Sequence, residues 1–205
     1  MQRLQTLLMA FLGVLPGASA WTIDMKPATV CVEKIRDIRV RYAVDIARGL
    51  YDKAGIPVAW YIGDKCPATA DALYVGFSFD EPKDVNVKAL AKAQLFEGSH
   101  ITVYLNRIHQ VSSSVFPADK LMMYCSILGH VIAHEVCHLL QRLDRHSENG
   151  IMKAQWSDRD FFEMKSNRMS FAVEDVRIVG ESQVQLAARA ALKQREATML
   201  AWGRD

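Results

Sequence analysis

A pair of histidines four residues apart, with a glutamate directly after the first, is the part of this sequence best suited to chemistry. The stretch His134-Glu135-Val136-Cys137-His138 has the form H-E-x-x-H within an apolar run, which predicts a helix. Histidines at i and i+4 lie on one helix face, so both imidazoles can reach one metal ion. Neutral imidazole suits zinc, and Glu135 could take a proton from a water that the ion activates. Because the apolar flanks bury this helix, where unpaired polar groups are costly, the pattern favours a metal site over a solvent-exposed histidine pair.

A catalytic zinc ion needs a third protein ligand and one open coordination position. Two candidates follow the helix: Asp144, six residues after His138, and His146, eight residues after it. Imidazole is the more common ligand, although an aspartate is chemically acceptable. His130, one turn before His134, shares the metal face of the helix. We predict that His130 packs in the core or supports a ligand, because a fourth ligand would close the site.

The run HEVCHLLQRLDRHSENGIMKAQW, residues 134–156, resembles the secreted bacterial zincins of the metzincin-like type. In those proteins H-E-x-x-H-L-L is followed by His-Ser, then by Gly-Ile-Met and a tryptophan. The resemblance implies Zn²⁺ as the cofactor, Glu135 as general base and Met152 as the Met-turn residue beneath the metal. Ser147 and Trp156 match motif positions without a defined chemical role. The ligands that the resemblance implies are His134, His138 and His146.

The resemblance and the motif together predict a zinc-dependent endopeptidase, which would hydrolyse a peptide or protein substrate. One feature departs from the family pattern, which places a glycine after the second histidine so that the chain can turn back to the metal. This sequence has no glycine between His138 and Gly150. Another residue must then adopt the required positive φ, at about 1–2 kcal/mol. The third ligand stays open between His146 and Asp144, and the alternative function is a catalytically weak or inactive zincin-like binding domain with structural zinc.

The first twenty residues have the three parts of a secretory signal peptide. Arg3 supplies the positive charge, Leu7–Leu15 is the apolar segment, and Ala18-Ser19-Ala20 is an A-x-A cleavage site before Trp21. An uncleaved membrane anchor is the alternative. We therefore expect a secreted or periplasmic protein, in which residues 21–205 form one zincin-like metallopeptidase domain that ends in a helix.

Export permits disulfide bonds, and the four cysteines allow three pairings. Cys125 and Cys137 are predicted to share one helix, where twelve residues separate them by about 18 Å, too far to bond. Cys31 and Cys66 are therefore the more credible pair. This bridge would join the start of the first helix to the end of the first strand.

Periodicity and turn residues predict an α+β domain in which a small twisted sheet packs against the metal-binding helix. By the resemblance, the strand at 100–105 is the rim of the cleft, to which an extended substrate adds as a further strand. A short helix is expected around 87–95, after turn residues at 80–82. The other predicted elements are helices at 33–54, 120–141 and 173–198, a short helix capped by Ser157, and strands at 58–62 and 72–79.

Composition supports one domain and excludes some partners. Half of the residues are hydrophobic, and the formal net charge is +2 without a basic block, so nucleic-acid binding has no electrostatic support. The apolar segment 121–140 could be taken for a membrane span. It contains three histidines and a glutamate, which lipid would leave without partners, so we predict a buried helix and no stable span after signal cleavage. The sequence gives no indication of an oligomeric state.

Overall fold

A five-stranded sheet and the long apolar helix form the centre of the protein in a computed structural model, which describes residues 26–80, 88–95 and 99–202. The sheet order is β2-β1-β3-β5-β4, and only β4 runs antiparallel to its neighbour. The predicted signal peptide lies outside the described residues. The strands are β1 (Ala28–Val32), β2 (Val58–Ile62), β3 (Leu73–Ser78), β4 (Ala91–Gln94) and β5 (His100–Tyr104). The helices are α1 (Ile38–Ala54), α2 (Leu105–Val115), α3 (Lys120–Gln141), α4 (Asp158–Lys165) and α5 (Val173–Trp202).

Helix α3 is the core element that carries the candidate site. It packs closely against α1 at Gly129, where an added Cβ would lie 2.8 Å from the carbonyl oxygen of Ala43. The Tyr51 hydroxyl of α1 donates a hydrogen bond to the Ala133 carbonyl at 2.8 Å. The stretch Pro117–Gln141 is long and apolar enough to cross a membrane, but its apolar window of 18 residues is buried within the protein. The prediction of a buried core helix at 120–141 is confirmed.

The first predicted helix begins later in the structure than expected. Residues 28–32 form the buried strand β1, and α1 starts at Ile38 because Asp37 is its N-cap and accepts from the Arg39 backbone N–H at 2.9 Å. Glu33, the predicted first residue of the helix, is instead bonded to strand β3. Its N–H donates to the Val75 carbonyl, and its carboxylate accepts from the Phe77 N–H. The end of the helix at Ala54 was predicted correctly, since Gly55 adopts a left-handed φ of 68°.

Two further elements differ from the sequence prediction. The prediction of a helix around 87–95 is wrong, because residues 91–94 form strand β4. Its sequence AKAQ has no β-branched residue, and the strand forms through its pairing with β5. Helix α2 is not among the predicted elements, and its serines Ser112 and Ser114 are of a type that competes with the helical backbone for hydrogen bonds. Their hydroxyls donate to backbone carbonyls three residues earlier, which removes their competition with the helix. The strands at 58–62 and 73–78, the capped helix α4 and the C-terminal helix α5 follow the predictions closely.

The predicted disulfide between Cys31 and Cys66 is present, with a Cα–Cα distance of 5.5 Å. It joins β1 to the end of the short 3₁₀ turn that follows β2, so its first cysteine lies in a strand instead of at a helix start. Cys125 and Cys137 are buried and unpaired with each other. The bridge therefore fastens the outer strand pair of the sheet.

Reduction of this disulfide should lower the free energy of unfolding by about 3–4 kcal/mol, because a loop of 35 residues is closed in the unfolded chain of the oxidised form only. Urea unfolding of oxidised and reduced protein measures the difference. The variant Cys66→Ser cannot form the bridge, so under oxidising conditions its free energy of unfolding should equal that of the reduced protein. Equal stability of the oxidised and reduced forms would contradict the assignment.

Candidate metal centre

The two histidines of the H-E-x-x-H motif face each other on α3. His134 and His138 are both buried, their ring centroids lie 4.7 Å apart, and their Nε2 atoms lie 3.0 Å apart. One helical turn separates them, which is why the two rings share one face. The helix therefore presents two imidazole nitrogens to a single point.

Backbone carbonyls fix the proton positions of both rings. Nδ1 of His134 donates to the Ile151 carbonyl at 2.8 Å, and Nδ1 of His138 donates to the Leu143 carbonyl at 3.0 Å. A carbonyl oxygen can only accept, so each neutral ring carries its proton on Nδ1 and a lone pair on Nε2. Two lone pairs at 3.0 Å repel each other unless a cation binds both. Tetrahedral zinc would hold two such nitrogens roughly 3.3 Å apart, so the arrangement fits the ion.

The protonation state of the two rings also suits metal binding. Burial lowers the pKa of His134 to about 3, and the nearby His138 opposes its charged form as well. Burial likewise lowers the pKa of His138. Both rings are thus neutral at pH 7, which is the form that binds metal ions.

His146 completes a group of three. Its ring centroid lies 5.3 Å from that of His134 and 5.0 Å from that of His138, and the three ligand nitrogens lie within 4.8 Å of one another. These three histidines form the metal group. Among the described residues, neither Asp144 nor His130 belongs to it. Asp144 lines the adjoining cleft, whereas His130 is fully buried and its Nδ1 donates to the Ser126 carbonyl. The structure thus brings together the three histidines that the resemblance implies.

Arg142 replaces the missing glycine at the turn after α3. It caps the helix in the left-handed region with φ 56° and ψ 33°, and its backbone N–H donates to the His138 carbonyl. The exposed side chain does not obstruct this conformation, which costs about 1–2 kcal/mol for a residue other than glycine. The chain can therefore turn back towards His134 and His138 without the glycine that the zincin pattern places here.

Arg142→Gly should raise the free energy of unfolding by up to about 1 kcal/mol, because glycine adopts this φ without strain but is more flexible when unfolded. Arg142→Ala is the matched control: it removes the same side chain and keeps the strain, so it should not stabilise the protein. Chemical denaturation of the metal-free forms measures both. A glycine variant no more stable than the alanine variant would show that the turn is not strained.

The loop after His146 supports the metal group through its backbone. The Ser147 N–H donates to the Met152 carbonyl at 2.8 Å, and the Ile151 carbonyl accepts from both His134 and the Trp156 indole N–H. Trp156 also packs edge-on against the His134 ring, with centroids 5.7 Å apart. This arrangement gives the tryptophan of the motif a physical role that its sequence position alone did not indicate.

Gly150 is the residue of this loop that no other type could replace. Its φ is 76°, and an added Cβ would lie 2.5 Å from the Ser170 carbonyl oxygen. The next residue, Ile151, donates its N–H to that same carbonyl. Met152 follows and is fully buried in the hydrophobic core, while its role as a Met-turn residue stays a prediction.

Glu135 and the three histidines line a cleft of about 750 Å³. Burial raises the pKa of Glu135 to about 7, a backbone hydrogen bond from Ala93 lowers it, and the charge of Asp144 raises it. A bound cation would favour the carboxylate form. The other lining residues come from the segment 88–95, which contains β4, and from the loop around Trp156, together with Val111, Val131, Asp144 and Phe161 of α4.

Strand β4 is the cleft-side edge of the sheet, which corrects the prediction for residues 100–105. β5 was expected to be the rim, but it lies inside the sheet, paired with β3 on one side and with β4 on the other. β4 precedes β5 in the chain and folds back antiparallel along its outer side. The sequence AKAQ carries no strand signal, so only the tertiary pairing reveals this edge.

Comparison with solved structures identifies the type of fold. The protein is similar to archaemetzincin from Methanopyrus kandleri, with 15% sequence identity, coverage of 76% of this chain and 95% of that chain, and a TM-score of 0.52. The sequence matches no protein-family model and no curated protein. At this identity the likeness establishes the fold alone. The expected α+β fold class, a zincin-like domain in which a small sheet packs against the helix of His134 and His138, is confirmed. The described residues of this chain include a three-histidine group able to bind a metal ion.

Proposed function

We propose that this chain is an exported zinc-dependent endopeptidase. The observation that carries the proposal is the convergence of three histidines, two of them fixed as Nε2 acceptors, in a cleft that Glu135 also lines. His134, His138 and His146 would hold the ion beside the cleft that they line. Zinc in such a site polarises a peptide carbonyl and lowers the pKa of water to about 7.

Glu135 is the proton carrier in this proposal. It follows His134 directly on α3 and lines the same cleft as the three histidines. As the carboxylate it takes a proton from the attacking water, and as the acid it delivers that proton to the leaving amine. A backbone hydrogen bond from Ala93 favours the carboxylate form of Glu135, which is the form that takes up the proton.

The outer edge of β4 suits an extended peptide. The Tyr104 N–H donates to the Leu90 carbonyl, and the register pairs Lys92 with Thr102, so alternate residues of this segment direct their backbone groups towards β5. The intervening residues, Ala91 and Ala93, direct theirs to the outer edge and line the cleft. A substrate strand added there would run past Glu135 and the metal group.

Metal content is the first test of the proposal. The full gene is expressed with its first twenty codons, and the purified protein is dialysed against metal-free buffer, analysed for metals and sequenced from its N-terminus. About one zinc per chain and an N-terminus at Trp21 support the site and the export. Absence of zinc, even after reloading, would overturn the proposal.

Cleavage of a peptide library by the zinc-loaded protein then separates enzyme from binding domain. Products with new internal ends support an endopeptidase. If the loaded protein cleaves no peptide faster than its Glu135→Gln variant does, the alternative of an inactive binding domain with structural zinc replaces the enzyme.

A further inference from the structure

A fully buried aspartate lies behind the loop that carries His146. Asp175, in the first turn of α5, is 0% exposed. Its Oδ1 atom accepts from Arg145 Nη1 at 2.8 Å and from Ser147 Oγ at 2.5 Å. These two donors are the residues immediately before and after His146, so one carboxylate oxygen holds the loop on both sides of the third ligand.

The same aspartate also contacts the end of the metal-binding helix. Gln141 Nε2 donates to the Asp175 carbonyl at 3.2 Å, and its approach to Oδ1 at 3.5 Å is much weaker. Arg145 Nη2 donates to Ser147 Oγ at 3.2 Å, which links the two flanking residues directly. The end of α3, the return loop and the start of α5 therefore meet at one side chain.

A buried carboxylate without partners is strongly unfavourable, so this cluster admits few arrangements of the loop. If Arg145 moved away, the Asp175 carboxylate would lose its ion-pair partner in the interior. His146 itself is exposed, and it lies four residues beyond the left-handed turn at Arg142. The loop thus lacks a regular element of its own, and its hydrogen bonds to Asp175 act together with the backbone bond from the Ser147 N–H to the Met152 carbonyl.

We propose that Asp175 is a positioning residue, which sets the third metal ligand His146 by holding the residues on either side of it. The inference rests on the proposed zinc site. Partners that orient metal ligands typically contribute 10–100-fold to metal affinity. Asp175 would act on the metal through the backbone of the loop, without contact to the ion.

Asp175→Asn is the variant that tests this role, because the amide keeps the shape of the side chain and removes its charge. Zinc affinity of the full chain, measured by competition with a chromophoric chelator, should fall about 10–100-fold. In a His146→Ala background the same substitution should cause no further loss, because the ligand that it positions is absent. Asp37→Asn is the matched control: it breaks the ion pair with Arg39 at 2.6 Å on α1 and should leave zinc affinity unchanged.

Two results would overturn the inference. One is a zinc affinity of Asp175→Asn equal to that of the unchanged chain; the other is an undiminished loss in the His146→Ala background. If Asp175→Asn does not fold, Ser147→Ala takes its place, because it removes one of the two loop donors to Asp175. It should lower zinc affinity several-fold in the unchanged chain and cause no further loss in the His146→Ala background. Failure of the unchanged chain to bind zinc would instead reject the proposed function, so the two failures are distinguishable.

Discussion

Glu135→Gln is expected to bind zinc as tightly as the unchanged chain does and to hydrolyse peptides at least 10²–10⁴-fold more slowly, the usual contribution of general acid–base catalysis. The amide has the size and shape of the carboxylate and can still accept the hydrogen bond from the Ala93 N–H. It cannot take a proton from water. Because Glu135 is not part of the three-histidine group that could hold a metal ion, its replacement should separate catalysis from metal binding.

Glu163→Gln is the matched control for this experiment. Glu163 lies on α4 and pairs with Arg159 at 3.2 Å, outside the residues that line the cleft. Its replacement by glutamine should leave hydrolysis unchanged. Rates are compared on one peptide from the library, with the zinc content of each variant measured in the same sample. Hydrolysis retained by Glu135→Gln with zinc bound would remove Glu135 from its proposed role.

Local spacing was sufficient to predict the part of the site that lies on one helix. His134, Glu135 and His138 depend only on the geometry of an α-helix, and the apolar residues around them predicted burial. Their surroundings in α3 agree with that prediction. The Cys31–Cys66 bridge was predictable for a similar reason, because the distance along α3 excludes a bond between the other two cysteines.

The parts that sequence could not indicate depend on contacts between distant segments. Residues 28–32 are a strand because β2 and β3 pair with them, and β4 is a strand because β5 does. Asp175 acts on a loop almost thirty residues earlier, and neither its neighbours nor the charge pattern of α5 distinguishes it from a surface aspartate. The missing glycine was correctly identified as a departure, but only the left-handed φ of Arg142 shows how the turn is made.

The choice of third ligand can be decided by a pair of variants. His146→Ala should lower zinc affinity by at least about 10²-fold, or about 2.7 kcal/mol, more than the usual loss for a residue that only orients a ligand. Asp144→Ala should leave the affinity within a few-fold, because Asp144 lies outside the group of three ligand nitrogens that approach within 4.8 Å. Competition with a chelator measures both variants under the same conditions.

Thermal unfolding with and without zinc shows whether these differences come from the site or from folding. His146 and Asp144 are both exposed, so either alanine variant should unfold near the temperature of the unchanged chain when no metal is present. Zinc stabilises the folded form by an amount that rises with its affinity, so the unchanged chain and Asp144→Ala should gain stability and His146→Ala should gain much less. The opposite pattern, with zinc lost in Asp144→Ala and retained in His146→Ala, would make the carboxylate the third ligand. The loop would then have to bring the Asp144 carboxylate to the two buried histidines when the ion binds, because it lies outside the group of three ligand nitrogens.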